Sequence, residues 1–515
     1  MDVLPPKLTF ENSPFALKTI TQRWPVILAQ LIDSLYRNRN HYHEVDALDL
    51  EDIKTLTGAI GQLRYEVTTN KPITLLSSVL DGCDNDLALW NSLLRNCGVL
   101  LSTADDRTVE MDHPTWFSLP WLFVECYLYR RIVDCVALSH LGSFDPFAVK
   151  KRSGLMKSES LVTQLLSFLS VSENPQCTLS TDALFTIFIQ VSDPTLCLVG
   201  LGLRRCGPMS LTCLCTLMSV HTVTVDSISL ADHVDRMSQR LVVDDTCALW
   251  RFWYNRSVCY FDSSTPHVTA IVLDNAGPEL VADLCLAEFL LCRGLTNKVY
   301  FYPKCIPWFV SDVTPLDVDW LLTTGFTSQC LSGVVAPLAD HWSSQWRRRF
   351  DAGEFCIQKS MFWTLPCAFD ELSVLDRPLY DKLAYGDVNV IIFKGDLNYR
   401  KLVADRMWIP DDPSHKVRAF CPMQLGRPQP PTTGHCDCSS TSHPSVGDPI
   451  DCRCSISEEV PSRIPPLVVA LRVAKADVAV GLSSDTLKRV LTSTPDWWTI
   501  GQYGFVQLVS PLFLG

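Results

Sequence analysis

Two oxygen-bearing side chains, Asp274 and Asn275, come directly after an apolar run at residues 268–273. A small Ala-Gly pair follows them, and an amphipathic run begins at Pro278. This order predicts a buried strand, a sharp turn and a helix, with the proline in the first helical turn, where a missing N–H costs nothing. Open α/β sheets bind ligands beyond the carboxyl ends of their strands, and carboxylate and amide oxygens suit Mg²⁺ or Mn²⁺. The same residues also form ordinary turns.

Three further apolar runs end in charged residues: 306–310 before Asp312, 389–393 before Asp396 to Arg400, and 467–471 before Arg472 and Lys475. If these runs are strands of a mostly parallel sheet, their carboxyl ends meet at one edge, beside Asp274. That edge would place acids and an amide for a cation next to basic groups for an anion. Taken singly, Asp312 also fits a helix N-cap, Arg400 a surface charge and Lys475 the border of a strand.

The spacing of apolar residues divides the chain into two parts. Residues 1–175 show apolar side chains at helical spacing and are predicted to be mainly helical. From there to residue 515, short apolar runs alternate with helical ones, which is typical of an α/β sheet. Residues 183–191 and 195–199 fit either strands or buried helical pieces, because periodicity does not separate the two.

A predicted helix at residues 119–132 carries an apolar stripe, with Glu125 and Tyr129 one turn apart on a neighbouring face. Two interpretations remain open. In the first, the helix belongs to the core and Glu125 is satisfied by an arginine, which is favoured because buried charges are usually paired. In the second, Glu125, Tyr129 and Arg130 approach a polar cleft.

The composition indicates a globular protein. The chain has 515 residues, of which 47% are hydrophobic and 19% charged, and its net charge of −12 argues against a broad nucleic-acid surface. The 22 cysteines are scattered, many in apolar runs, and are interpreted as reduced core residues. No signal peptide and no membrane-spanning run is recognised, so a cytoplasmic protein without a membrane partner is expected.

A stretch at residues 425–463 is rich in Pro, Ser and Cys and is predicted to be a disordered insertion. It contains two Cys-x-Cys pairs, at 436–438 and 452–454, with His435 and His443 nearby. Zinc is one interpretation, but structural zinc sites usually separate paired ligands by two to four residues, so solvated thiols are the other. A Gly-Leu-Gly at 200–202 is not a dinucleotide fingerprint, because an arginine replaces the third glycine.

Several blocks in the same order resemble the metal-dependent damage-control phosphatases, in their sugar-phosphate phosphatase subfamily III, also described as acidic residue methyltransferase-like. The matching blocks are residues 19–25, 63–66, 120–132, 273–289, 308–312, 393–400, 471–482 and 501–506. The resemblance implies a helical N-terminal portion, residues 1–175, packed on a three-layer α/β/α unit with a mostly parallel sheet, residues 176–515.

The resemblance also implies roles for individual residues. The metal ligands would be Asp274, Asn275 and Asp312, and Glu279 would contact the substrate. The loop that holds the phosphorylated substrate would be formed by Asp396, Leu397, Asn398, Tyr399 and Arg400. The lysine of the family's Arg-Thr-x-Lys motif would be Lys475, on the phosphate. Asp274, Asn275 and Lys475 would be the catalytic residues.

Two departures from the family pattern are visible. Val473 replaces the threonine of the lysine motif, so one hydroxyl is missing. The stretch Leu198 to Leu211 lacks the Leu-Trp-Gly-Asn and Asp-Leu-Ser that the family usually shows there. If those groups line the site, activity would be weakened or retuned.

The resemblance, together with these residues, implies a phosphatase acting on phosphomonoesters of small metabolites. Sugar phosphates such as fructose 1-phosphate or fructose 6-phosphate would be the substrates, with Mn²⁺, Ni²⁺, Co²⁺ or Mg²⁺ as the metal. A cation and Lys475 would neutralise charge on the phosphoryl oxygens. Either water attacks directly or Asp274 forms a phosphoenzyme. The alternatives are a protein-glutamate methyltransferase using S-adenosylmethionine, for which no glycine-rich loop of the usual spacing is seen, and a non-catalytic sugar-phosphate-binding relative.

Overall fold

The computed structural model describes residues 4, 6–7, 13–44, 47–80, 86–103, 114–174, 177, 179–192, 240–259, 266–332, 335–420 and 466–509. The predicted insertion at 425–463 with its Cys-x-Cys pairs, the segment at 195–199 and the altered stretch at 198–211 lie outside these residues.

The helices in chain order are α1 (Pro14–Lys18), α2 (Trp24–Arg37), α3 (Arg39–Glu44), α4 (Leu50–Thr68), α5 (Asp86–Thr103), α6 (Trp121–Leu138), α7 (Ala148–Lys157), α8 (Glu159–Glu173), α9 (Thr181–Val191), α10 (Thr246–Cys259), α11 (Pro278–Cys292), α12 (Pro315–Trp320), α13 (Ala336–Asp351), α14 (Leu372–Leu375), α15 (Arg377–Ala384), α16 (Gly395–Leu402), α17 (Pro413–Phe420) and α18 (Ser484–Ser493). The strands are β1 (Leu241–Asp244), β2 (Val268–Val272), β3 (Lys298–Tyr302), β4 (Phe355–Ile357), β5 (Val388–Lys394), β6 (Leu467–Val473) and β7 (Gly504–Val509). Residues 183–191, which fitted either element, are helical.

The seven strands form one sheet in the order β1-β7-β6-β5-β2-β3-β4. All neighbours are parallel except β6 and β7, which are antiparallel. The central strands are almost continuously apolar, and every residue of β2 and β6 is buried. Such runs are typical of parallel strands that are covered on both faces.

Alternate residues of the central strands enter two different apolar clusters. Val268, Ala270 and Val272 of β2 pack with helices α1 to α6 on one face of the sheet. Ile271 and the following Leu273 pack on the other face, in a cluster that includes side chains of α8, α9, α11 and α13. The arrangement is therefore helix, sheet, helix, which confirms the predicted α/β fold with a helical N-terminal part.

The carboxyl ends of β2, β5 and β6 lie at one edge of the sheet, as predicted. The prediction that residues 306–310 form a strand before Asp312 is wrong, because they lie in a loop after β3. Phe309 and Val310 in this loop have φ of +45° and +72°, which no regular strand contains. Asp312 therefore reaches the edge on a loop rather than from a strand of its own.

Candidate active site

The turn after β2 is joined to the loop that carries Asp312. The Val313 N–H donates to the backbone carbonyl of Asp274 at 2.7 Å, and the Ala276 N–H donates to the Ser311 carbonyl at 2.7 Å. Asn275 and Asp312 themselves pair as an isolated β-bridge. These backbone bonds fix Asp312 beside Asp274, so the predicted pair of acids is brought together.

Three acidic side chains are buried at this edge, namely Asp274, Asp312 and Glu279. Burial, followed by the charges of Asp312 and Glu279, raises the pKa of Asp274 well above its usual range, while Lys475 and Lys304 oppose that shift. Burial also raises the pKa of Asp312 to about 6, against the opposing charge of Lys304. Burial is therefore the main reason that both carboxyl groups hold a proton more tightly than usual, and the nearby lysines offset only part of this effect.

The acids fit a divalent cation. The Oδ2 atom of Asp312 is buried without a hydrogen-bond partner among the described residues, and the nearest ammonium, Lys304 Nζ, is 3.7 Å away. Asn275 donates from Nδ2 to Asp274 Oδ2 at 2.6 Å, while its Oδ1 accepts from the Ser311 hydroxyl at 2.5 Å. Two carboxylate groups therefore suit a hard cation as they stand, and Asn275 would join them once its amide oxygen turns inward.

The first residue of α16, Gly395, lies directly against Asp274. Its φ is +85°, and a Cβ placed on it would lie 2.0 Å from Asp274 Oδ2. Only glycine fits this backbone conformation and this close approach. The start of α16 is therefore held against the carboxylate, as the convergence of β2 and β5 predicted.

The end of β6 is tied to the start of α16 through Asp396. Its Oδ1 accepts from Arg472 Nε at 2.8 Å and from the Lys475 N–H at 2.9 Å. Burial alone would raise the pKa of Asp396, but the charges of Arg472 and Arg400 outweigh it and hold this pKa below its usual value. The ionised Asp396 thus positions the backbone of Lys475. The charge of the half-buried Lys475 side chain lowers the pKa of both Asp274 and Asp312.

Val473, the departure from the family motif, is the last residue of β6 and is 1% exposed. Its side chain belongs to the apolar cluster of α8, α9, α11 and α13. The substitution therefore places a methyl group into the core rather than at an open surface of the site.

Three of the predicted loop residues point inward. Leu397 belongs to the apolar cluster of the N-terminal helices. Asn398 donates to the Lys394 carbonyl at 2.7 Å and accepts from Lys304 Nζ at 3.3 Å. The Tyr399 hydroxyl donates to the side chain of Gln507 at 3.1 Å. Their side chains hold α16 in place, and the segment meets the acids through the first turn of that helix.

Arg400 is buried and bound to two carboxylates. Its Nε and Nη2 donate to Asp405 Oδ2 at 3.0 and 2.7 Å, and its Nη1 donates to Glu125 Oε2 at 2.5 Å. The guanidinium group of Arg400, which the resemblance places in the substrate loop, is therefore occupied by Asp405 in this structure. Arg400 also links α16 to α6, because Glu125 lies on that helix.

Side chains of α6 contact both the helical layer and the residues around the site. Glu125 is paired with an arginine, as the core interpretation predicted, but with Arg400 rather than with a neighbour on its own helix. Tyr129 stacks on Phe309 of the Asp312 loop, with ring centroids 4.4 Å apart. Arg130 pairs with Asp86 at 2.8 Å, within the helical layer. Glu125 and Tyr129 thus lie beside residues of the site, and Arg130 does not.

Two buried lysines at the site were missed by the sequence reasoning. Lys304 donates to the Leu273 carbonyl at 2.8 Å, and Lys394 donates to Glu279 at 3.0 Å. Each lies at or just after the end of a parallel strand, and that position was the available signal. Lys304 places its positive charge close to Asp312, and Lys394 places its charge close to Glu279.

The fold and site define an α/β/α protein with two neighbouring buried aspartates and a lysine at the carboxyl edge of its sheet. The family model of the damage-control phosphatase ARMT1-like domain matches residues 19–490. The chain therefore belongs to this damage-control phosphatase family, which confirms the resemblance.

Relatives match over nearly the whole chain. A protein of Danio rerio is 31% identical over 522 residues, covering 99% of this chain and 98% of its own length. Proteins of Homo sapiens and Bos taurus are 30% and 31% identical, covering 99% and 97% of this chain and 100% and 97% of their own lengths. All three are named damage-control phosphatase ARMT1. Among the described residues, no helix has both the length and the apolarity that a bilayer crossing requires.

Proposed function

We propose that this chain is a metal-dependent phosphatase of small phosphorylated metabolites and that sugar phosphates, such as fructose 1-phosphate or fructose 6-phosphate, are its substrates. The observation that carries the proposal is the buried pair Asp274 and Asp312, which share a site with Lys475 in a member of a phosphatase family. Membership supports phosphatase activity and metal dependence in general, and the site chemistry supports an anionic substrate.

In this proposal Asp274, Asp312 and Asn275 hold the divalent cation, which is Mn²⁺, Ni²⁺, Co²⁺ or Mg²⁺. When bound, such a cation neutralises phosphoryl oxygens and lowers the pKa of water. Two carboxylates and one neutral amide leave coordination positions open for the substrate and water. The chain's own part is to hold these three ligands against one another by backbone bonds.

Lys475 supplies a compact positive charge to the phosphate. The first turn of α16, which begins at Gly395 and has no side-chain cap among the described residues, presents its backbone N–H groups at the same edge. The loop residues Asp396 to Arg400 thus support the substrate mainly through their backbone, since the side chains of residues 397–399 point inward. Glu279 is placed for a hydroxyl of the sugar.

A phosphate-release screen of the purified protein over a panel of phosphometabolites, with each of the four metals, tests the proposal. Activity on sugar phosphates is expected, and Asp274→Ala should abolish it. Asp381→Ala, which removes an exposed acid paired with Arg377 at 2.8 Å, is the matched control and should leave activity unchanged. Phosphate release that persists in Asp274→Ala, or in excess chelator, would refute a metal-dependent mechanism.

A further inference from the structure

Lys394, the last residue of β5, lies fully buried between two carboxylates. Its Nζ donates to Glu279 Oε1 at 3.0 Å and to Asp283 Oδ1 at 2.8 Å. It also donates to the backbone carbonyl of Ser192. Glu279 and Asp283 are four residues apart on α11, so both project from the same side of that helix toward the lysine.

Glu279 is also the third acid of the site. Its Oε2 accepts from Asn275 Nδ2 at 2.8 Å, and the same nitrogen donates to Asp274 Oδ2 at 2.6 Å. One amide nitrogen therefore separates Glu279 from Asp274. The other oxygen of Glu279 accepts from Lys394, so each oxygen holds one of these hydrogen bonds and can still accept a further donor, although Glu279 lies next to the cation ligands.

A third carboxylate in the metal shell would change the site. Two carboxylates balance the charge of a divalent cation, whereas three leave the complex negative and occupy a position that the substrate needs. The number of charged oxygen ligands also sets how tightly such cations bind. A site that must accept an anion therefore needs Glu279 close by but outside the shell.

We propose that Lys394 is a positioning residue that keeps Glu279 out of the metal coordination shell. The proposal rests on the proposed metal site of Asp274, Asn275 and Asp312. The lysine holds one carboxylate oxygen of Glu279 toward the sheet. The cation thereby keeps an open position for phosphate, and Glu279 stays available for a substrate hydroxyl.

Calorimetric titration with Mn²⁺ alone, without substrate, tests this assignment. Lys394→Met releases Glu279 and should tighten Mn²⁺ binding by roughly tenfold or more, because a third carboxylate joins the cation. The KM for the sugar phosphate should rise in the same variant. Lys394→Arg keeps the positive charge and should restore the wild-type affinity for Mn²⁺.

The Glu279→Gln background gives the decisive comparison. With no carboxylate to release, Lys394→Met should leave the Mn²⁺ affinity of Glu279→Gln unchanged. Weaker Mn²⁺ binding on loss of the lysine, or the same change in both backgrounds, would overturn the proposal and assign Lys394 a purely structural role.

Loss of Lys394 also leaves Asp283 buried beside Glu279. The comparison of Lys394 with Lys394→Met is therefore repeated in the Asp283→Asn background. This substitution removes the buried carboxylate that would otherwise lose its lysine partner and destabilise the fold. Circular dichroism confirms the fold of each variant.

The two proposals fail in different ways. If the wild type binds Mn²⁺ but releases no phosphate from any compound of the panel, the proposed function fails and the titrations still decide the role of Lys394. If the wild type binds no Mn²⁺, the role of Lys394 is overturned as well, since it requires a cation.

Discussion

Gly395 offers a sharp test of how the acid site is built, through the substitution Gly395→Ala. The added Cβ would lie 2.0 Å from Oδ2, 2.1 Å from Cγ and 2.6 Å from Oδ1 of Asp274. All three atoms belong to the carboxylate group itself, so the new methyl group meets the predicted metal ligand directly. The residue would also have to keep a φ of +85°, which L side chains rarely adopt.

The expected magnitudes follow from these distances. Carbon and oxygen atoms that are not bonded need more than about 3 Å, so the Asp274 carboxylate has to move by roughly 1 Å. A displacement of that size at a catalytic group costs about 100-fold in rate. The backbone strain contributes separately, by about 1–2 kcal/mol of folding stability.

Gly353→Ala is the matched control, because Gly353 has a φ of +70° and, apart from its chain neighbours, no atom of the described residues lies within 4 Å of the position that its Cβ would take. Urea denaturation should show a comparable loss of stability from strain in both variants. Phosphate release with Mn²⁺ should fall about 100-fold only in Gly395→Ala. If Gly395→Ala keeps its activity within about threefold of Gly353→Ala, the inferred contact between Gly395 and Asp274 does not govern the site.

Three further outcomes are expected. Burial lowers the pKa of Lys401 from 10.5 to about 8. Between these two pH values the unfolded chain binds one proton more than the folded chain, so the free energy of unfolding should rise with pH by about 3 kcal/mol. Lys401→Met should remove this rise in urea denaturation, and a pH profile like that of the wild type would contradict the argument. Arg472→Met leaves the buried Asp396 without its ion pair and should lower the free energy of unfolding by about 3–5 kcal/mol. The stability that ionised Asp396 contributes is present above a pH of about 4 and is lost as the pH falls, since the pKa of Asp396 is lowered in the folded protein. The wild type and Arg472→Met should therefore become equally stable in acid. A difference that stays constant with pH would argue against an ionised Asp396. Mn²⁺ at a hundred times its Kd should raise the free energy of unfolding by about 2.7 kcal/mol, and Asp312→Ala should abolish this gain; stabilisation that survives the substitution would place the cation elsewhere.

The strand-turn-helix at β2 and α11 could be predicted because its signals are local. An uninterrupted apolar run, a polar turn with glycine and a proline at the first helical position all point to the same structure. Residues 306–310 are equally apolar, and the strand prediction there is wrong. The difference lies in two residues with positive φ and in backbone bonds from Ser311 and Val313 to the neighbouring turn, which are set by tertiary contacts rather than composition.

The convergence of Asp274 and Lys475 was also predictable, because parallel strands present their ends together. Asp312 joins them on a loop that the strand prediction did not foresee. The partners of Arg400 could not be predicted from the sequence. Asp405 reaches it through a turn in which residues 404 and 405 have φ of +58° and +44°, and Glu125 lies 275 residues earlier in the chain. Such pairing depends on how the layers pack, so the sequence shows a charge at the right place but not which group neutralises it.

The position of β7 in the sheet has a consequence for how the protein is made. β7 lies between β1 and β6, and the Leu508 N–H donates to the carboxylate of Asp245, 263 residues earlier. Among the described strands, β1 therefore has no neighbour until β7 has left the ribosome. At about 5–20 residues per second, β1 waits roughly 10 to 50 seconds with an open edge. During synthesis, pulsed hydrogen exchange should therefore show β1 gaining protection only after β7 has emerged.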